Sequence, residues 1–172
     1  MQPKAPKGTR PRPNRVVAVD PGFDRLGVAV LEKEGGKEKL LFSECIVTNP
    51  KDERGKRLHQ IGARLKEIIK EWEPASLAVE TLFFNQNITS AIGVAEARGV
   101  VIYEAVNAGL AVFEYGPQSI KVAVTGYGKA DKLQIESMVK RLVSVPETGG
   151  RLDDEVDAIA LGITHLASQK SI

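Results

Sequence analysis

VVAVDPGFDRLGVAVL, residues 16–31, holds two apolar runs of strand length, Val16–Asp20 and Leu26–Leu31, parted by a Pro21-Gly22 turn. β-Branched side chains dominate both runs, and a Pro-Gly pair gives the chain its preset φ and then its steric freedom. A third run, Leu40–Ile46, comes after Gly35-Gly36. Turns this short join antiparallel neighbours, so the three runs are expected as a meander.

Beyond them the apolar period changes. Leu58, Ile61, Leu65, Ile68, Ile69 and Trp72 recur at helical spacing with Lys and Glu between, and Pro74 is expected to stop that helix, leaving Trp72 in the core. A fourth strand is expected at Ser76–Glu80, then a polar loop and a long helix, Thr89–Asn107, closed by Gly109. That helix is rich in small residues (Ala91, Gly93, Ala95, Ala97, Gly99). Such a stripe suits close approach by the sheet on one side and by a second subunit on another. A fifth strand, Ala111–Tyr115, leads to helices at Gln118–Thr125, Asp131–Val143 and Asp153–Ser168. Three strands, a helix, then alternating strand and helix imply an α/β fold with a mixed five-stranded sheet flanked by helices. Helical crossovers make strands one, four and five parallel and central. This is the ribonuclease H-like arrangement.

The 172 residues suit one domain, with residues 16–172 folded and residues 1–15 a basic arm. Lys4, Lys7, Arg10, Arg12 and Arg15 stand in that arm with four prolines and no acid, a composition expected to be disordered and able to hold phosphates. The competing reading is a solvated tail. A net charge of +2 is too small to establish a nucleic-acid partner by itself. No apolar run reaches the length of a membrane span, and no apolar signal core follows the basic start. The lone Cys45 excludes an internal disulfide and fits a reducing cytoplasm; in its apolar stretch it is expected to be a spectator thiol.

Two acids sit awkwardly for a purely structural reading. Asp20 ends Val16-Val17-Ala18-Val19, and Glu80 ends Leu77-Ala78-Val79. A carboxylate at the end of a buried strand loses hydration and needs a partner or a cation. On parallel neighbours both would emerge at the carboxyl edge of the sheet, where ligand sites of open α/β sheets gather. Asp154 and Asp157, three apart, share one side of a helix start. The helix dipole favours acids there, yet their mutual repulsion, with Asp153 and Glu155 alongside, favours a cation. Helical spacing from Asp157 admits either Asp153 or Asp154. Oxygen donors without Cys or His suit Mg²⁺ or Mn²⁺ over zinc. Four such groups can hold two ions for phosphodiester hydrolysis. His59 and His165 are expected to be structural or surface residues. Lys121, Lys129 and Lys132 surround a Gly-rich turn and could bind phosphates. That turn is not a nucleotide loop, since Ala130 follows Gly128-Lys129.

In order along the chain, Val17-Ala18-Val19-Asp20-Pro21-Gly22, Leu26-Gly27, Ala78-Val79-Glu80-Thr81-Leu82-Phe83-Phe84, Glu96-Ala97-Arg98-Gly99-Val100, Phe113-Glu114-Tyr115, Lys121, Gly126-Tyr127-Gly128-Lys129-Ala130-Asp131-Lys132 and Asp157-Ala158-Ile159-Ala160 resemble the RuvC Holliday junction resolvases. The resemblance spans about Val16 to Leu166. It implies catalytic, metal-binding carboxylates at Asp20, Glu80, Asp154 and Asp157. It also implies an aromatic at Phe83 that stacks on a base near the crossover, and lysines at Lys121 and Lys132 beside the cut strand. Mg²⁺ dependence (two ions per site, Mn²⁺ as a substitute), a homodimer, four-way junction DNA as substrate and handover from a RuvA–RuvB type branch-migration complex follow from it as expectations.

Three other readings share some of these features. A sugar-kinase or actin-like ATPase opens its phosphate loop with strand–Asp–x–Gly but needs two such domains. A junction-binding module of the same fold would have lost its metal, against which the presence of all four acids argues. Another ribonuclease H-like nuclease would keep the acids and act on a different substrate.

Overall fold

The computed structural model describes residues 12–82, 88–144 and 153–169, with side chains of the second stretch described from Ala91. Its order is β1 (Arg12–Asp20), β2 (Arg25–Glu34), β3 (Lys37–Val47), α1 (Arg54–Trp72), β4 (Pro74–Glu80), α2 (Ile88–Asn107), β5 (Ala111–Tyr115), α3 (Pro117–Thr125), α4 (Lys132–Leu142) and α5 (Asp153–Ser168). The sheet runs β3-β2-β1-β4-β5. The β1–β2 and β2–β3 pairs are antiparallel, β1–β4 and β4–β5 parallel. The expected mixed α/β sheet of ribonuclease H-like order is the observed one, except that β5, expected to be central, is an edge strand paired to β4 alone among the described strands.

Alternation along β1 divides the core. Val17 and Val19 face α1 and α2 with Ile61, Leu65, Ile68, Ala97 and Val101. Val16 and Ala18 face α3, α4 and α5 with Ile120, Val139, Ile159 and Ile163. Each face buries a continuous apolar layer, and both strands at the centre read as unbroken apolar runs because neither side meets water. Trp72 is buried, as expected from its helical position.

Two boundaries differ from the sequence reading. β1 starts at Arg12, so the last four residues of the expected arm belong to the sheet. Arg15 is 3% exposed; its Nη1 donates to the Trp72 carbonyl at 2.5 Å and its Nη2 to Glu32 at 3.2 Å. A basic residue that looked like part of a phosphate-binding tail is therefore a buried clamp between β1, β2 and the end of α1. Pro74 does not itself end α1. Glu73 does, in a left-handed conformation (φ 49°), and Pro74 is the first residue of β4.

Candidate active site

Parallel pairing of β1 and β4 aligns Val19 with Val79, which brings Asp20 and Glu80 out side by side at one sheet edge. Asp20 also pairs across the antiparallel ladder with Gly27, and Gly27 with Cys45. The first turn of α5 lies directly on Gly27. A Cβ at that glycine would come within 1.8 Å of the Asp154 carbonyl oxygen. No side chain larger than hydrogen fits there, and the close approach lays Asp154 and Asp157 over the strand ends that carry Asp20.

The charges converge accordingly. Burial, reinforced by Glu80, Asp157 and Asp154 and opposed by Lys132, pushes the Asp20 carboxyl up to about 8. Burial, then the Asp157 charge, raises Glu80, while a hydrogen bond with Asp20 pulls it back. Burial also raises Asp157; Lys132 opposes that rise, and Asp154 and Asp153 add to it. At neutral pH Asp20 therefore keeps a proton that it shares with Glu80. A group of acids that cannot all ionise together is short of positive charge.

Part of that charge comes from the chain. Arg25 Nε lies 3.0 Å from Asp154 Oδ2. Lys132 Nζ lies 3.1 Å from Asp153 Oδ2 and 3.7 Å from Asp157 Oδ2. Burial alone would lower the Lys132 ammonium, but Asp153, Asp157 and Asp154 outweigh it and the net direction is upward. Among the described residues no three His, Cys, Asp or Glu side chains form a ready ligand cage. Instead, Asp154 and Asp157 are each engaged by a cation. By donor chemistry the group fits a hard divalent ion: the acids supply only oxygen, and their crowding suppresses ionisation that a cation would restore.

A cavity of about 230 Å³ opens beside the carboxylates, lined by Glu80, Asp157, Lys121, Lys132, Pro117 and Ile120. Lys121 and Lys132 thus stand on the same cavity wall as Glu80 and Asp157. Lys129 does not line that cavity; it stays exposed on the α3–α4 turn. Lys132 opens α4 behind an Asp131–Gln134 capping box, which fixes the helix start and with it the direction of the lysine. Phe83 lies outside the described residues.

Asp153 and Asp154 separate clearly. The Asp154 side chain is 21% exposed and held by Arg25, whereas that of Asp153 is 67% exposed and meets Lys132 alone among the cations. Cys45 is half-buried with Sγ 4.0 Å from Asp154 Oδ2. Burial and the Asp154 charge push its thiol up to about 11, so it stays protonated, the spectator expected. His165 is buried, between Ser76 Oγ (2.9 Å) and Tyr115 OH (3.0 Å), and burial lowers it to about 4. It is structural, as expected, and His59 is exposed on α1.

Sequence reasoning missed Arg25, whose partner is 129 positions away and leaves no local signal. Within the small-residue stripe, Gly93 faces the chain's own Phe23: a Cβ there would meet that ring at 3.1 Å.

The comparisons agree with this geometry. The family model described as crossover junction endodeoxyribonuclease RuvC matches residues 16–165. A crossover junction endodeoxyribonuclease RuvC of Finegoldia magna is 40% identical over 156 residues, covering 91% of this chain and 94% of the relative. The solved structure of Thermus thermophilus RuvC superposes with a TM-score of 0.81 at 34% identity, covering 89% of this chain and 93% of that one. The same organism's RuvC in complex with Holliday junction substrate gives 0.82 at 34% identity, covering 88% and 92%. With the family model matching residues 16–165 and relatives about 40% identical along nearly the whole chain, the chain belongs to the crossover junction endodeoxyribonuclease RuvC family.

Proposed function

We propose that this chain is a structure-selective endonuclease that resolves four-way DNA junctions in recombination and repair by hydrolysing phosphodiesters. The observation that carries the reading is the meeting of Asp20 and Glu80 at the edge of parallel β1 and β4, under the first turn of α5. Asp20, Glu80, Asp154 and Asp157 would hold divalent cations, two Mg²⁺ per site with Mn²⁺ able to replace them. When bound, such ions activate a water and neutralise the departing oxygen.

The chain's own residues prepare that chemistry. Asp20 must release its proton before it can serve as a ligand, so burial keeps the site poised to exchange a proton for a cation. Arg25 and Lys132 hold Asp154 and Asp157 near the edge meanwhile. Lys121 and Lys132, on the wall of the adjoining cavity, supply positive charge for backbone phosphates. Lys129, exposed on the turn, adds a phosphate contact farther out. Phe83 stacks on a base near the crossover.

Two strands must be cut at equivalent places, which suits a twofold homodimer. Its interface in this reading is the outward face of α2, where Ile92, Tyr103 and Val106 are exposed at helical spacing. Residues 1–11 act as a basic arm on the DNA, and a RuvA–RuvB type branch-migration complex delivers the junction in the cytoplasm. No helix among the described residues is long and apolar enough to cross a membrane.

The test is incubation of labelled four-way junction, duplex and RNA–DNA hybrid with Mg²⁺, reading cuts at nucleotide resolution. Symmetric paired cuts in the junction alone are expected. Cutting of hybrid or plain duplex at similar rates would sink the junction-selective reading. Sedimentation of Tyr103→Arg, expected as a monomer that cuts poorly, tests the dimer; an active monomer would remove it.

A further inference from the structure

The turn between β1 and β2 carries Asp20 at one end and Arg25, the cation on Asp154, at the other. Its middle is gripped from outside the site. Arg57 on α1 is 7% exposed. Its Nε donates to Thr48 Oγ1 at 2.9 Å and its Nη2 to the Phe23 carbonyl at 3.4 Å, and it pairs with the Asp24 carboxylate. Thr48 completes the grip: its hydroxyl donates to the same Phe23 carbonyl at 2.7 Å, and its amide to the Asp24 carbonyl at 2.9 Å. The Arg57 guanidinium also lies 3.9 Å above the Phe23 ring. That ring in turn sits in the notch left by Gly93 on α2.

Burial of a guanidinium is unfavourable unless its donors are used, and here they go to Phe23 and Asp24 of the turn and to Thr48 beside it. That turn holds no large apolar core of its own; the side chain that anchors it is Phe23. Resting on the functional reading above, we propose that Arg57 is a positioning residue for the carboxylate site. Through the carbonyl and ring of Phe23 it sets where Asp20 and Arg25 stand, and the Phe23–Gly93 contact ties that placement to α2. Groups one layer behind the ligands of a metal site commonly change ion affinity or activity by about 10–100-fold when removed.

Arg57→Met keeps the apolar stem and removes the donors, and Thr48→Val removes the second donor to Phe23 together with the acceptor of Arg57 Nε. Gly93→Ala presses a methyl on the ring from the opposite side. Each is compared with wild type by Mn²⁺ binding from loss of the free-ion EPR signal, by junction affinity in EDTA, by melting temperature and by single-turnover cleavage across a Mg²⁺ series. The expected result for Arg57→Met is Mn²⁺ affinity weaker by about tenfold or more. A matching rise in the Mg²⁺ concentration for half-maximal cutting and junction affinity within about twofold of wild type should accompany it, with Arg57→Lys recovering part of the loss. If Arg57→Met does not fold, Thr48→Val and Gly93→Ala must show the same split. Wild-type Mn²⁺ binding in folded variants, or a loss of junction affinity that parallels the loss of cutting, overturns the proposal. Failure of the functional reading looks different: wild type itself would leave junctions uncut, whereas the Mn²⁺ measurement would still report on Arg57.

Discussion

Replacing Gly27 by alanine adds one methyl at the point where β2 meets the first turn of α5. That methyl would stand 1.8 Å from the Asp154 carbonyl oxygen, 2.4 Å from its carbonyl carbon and 3.2 Å from its Cβ. Real Cβ contacts essentially never fall below 3.0 Å, so the first turn of α5 must lift by at least about 1.2 Å. The obstacle is backbone, not the end of a flexible side chain, and rotation of a rotamer cannot relieve it. Overpacking of this kind costs about 1–3 kcal/mol. In a chain of this size each kcal/mol lowers Tm by about 2–4 °C. The effect on cutting should be larger than the effect on folding. A shift of about 1 Å at reacting groups costs roughly 100-fold, equivalent to about 2.7 kcal/mol of barrier, and Asp154 is displaced directly. Junction affinity should hold, since phosphate contacts carry it. The assay is single-turnover cleavage of a labelled junction at saturating protein, with a gel shift in EDTA and a thermal melt on the same preparation. Arg25→Met is the control. It removes a half-exposed ion pair on the same Asp154, an interaction worth at most about 1 kcal/mol, and should slow cutting only severalfold. Gly27→Ala cutting within threefold of wild type, or slowing no more than Arg25→Met, would refute the claim that this contact places Asp154.

Further outcomes can be measured at the same site. The Asp20 carboxyl ordinarily titrates near 3.8 but in the fold near 8. Its contribution to stability is therefore full below about 3.8 and is lost as pH rises towards 8; Asp20→Asn should melt higher than wild type by a margin that widens over that range. Because ion binding must expel the same proton, cutting at subsaturating Mg²⁺ should increase with pH up to about 8, and higher Mg²⁺ should move that limb to lower pH; a limb that ignores Mg²⁺ would break the link. Asp154→Asn should abolish cutting while binding survives, whereas Asp153→Asn, which loses only the Lys132 contact, should retain most of the rate; the reverse pattern would reassign the third carboxylate. Deletion of residues 1–11 should flatten the salt dependence of DNA binding and leave Tm unchanged, but extending the deletion through Arg15 should lower stability by about 1–3 kcal/mol, because the Trp72 carbonyl loses its buried donor.

Much of this molecule was legible before folding because its signals are local. Strand and helix periods, the acids terminating apolar runs and the small-residue helix all lie within windows of a few turns. The misses are tertiary. Arg12 to Arg15 have the composition of a solvated arm, and only a carbonyl on α1 and an acid on β2 turn Arg15 inward. The stripe announces close packing at Gly93 but not its neighbour, which is Phe23, seventy residues earlier. Arg25 and Arg57 are ordinary basic residues in sequence; their roles come from Asp154 and from the turn at Phe23. Helical spacing left Asp153 and Asp154 equivalent, and the register of α5 on Gly27 distinguishes them.

The last helix both covers one face of the sheet and delivers two of the four acids. Ala18, Ala29 and Leu31 have Ile159, Leu161 and Ile163 for their roof, and Asp154 and Asp157 come with it. A ribosome has made β1–β5 and α1–α4 before it starts α5, so a growing chain, or one ended before α5, carries Asp20 and Glu80 without Asp154 and Asp157. Such a fragment also shows an uncovered apolar sheet face, the kind of surface that quality control removes. The order of synthesis thus keeps the two pairs of acids apart until α5 closes over the sheet.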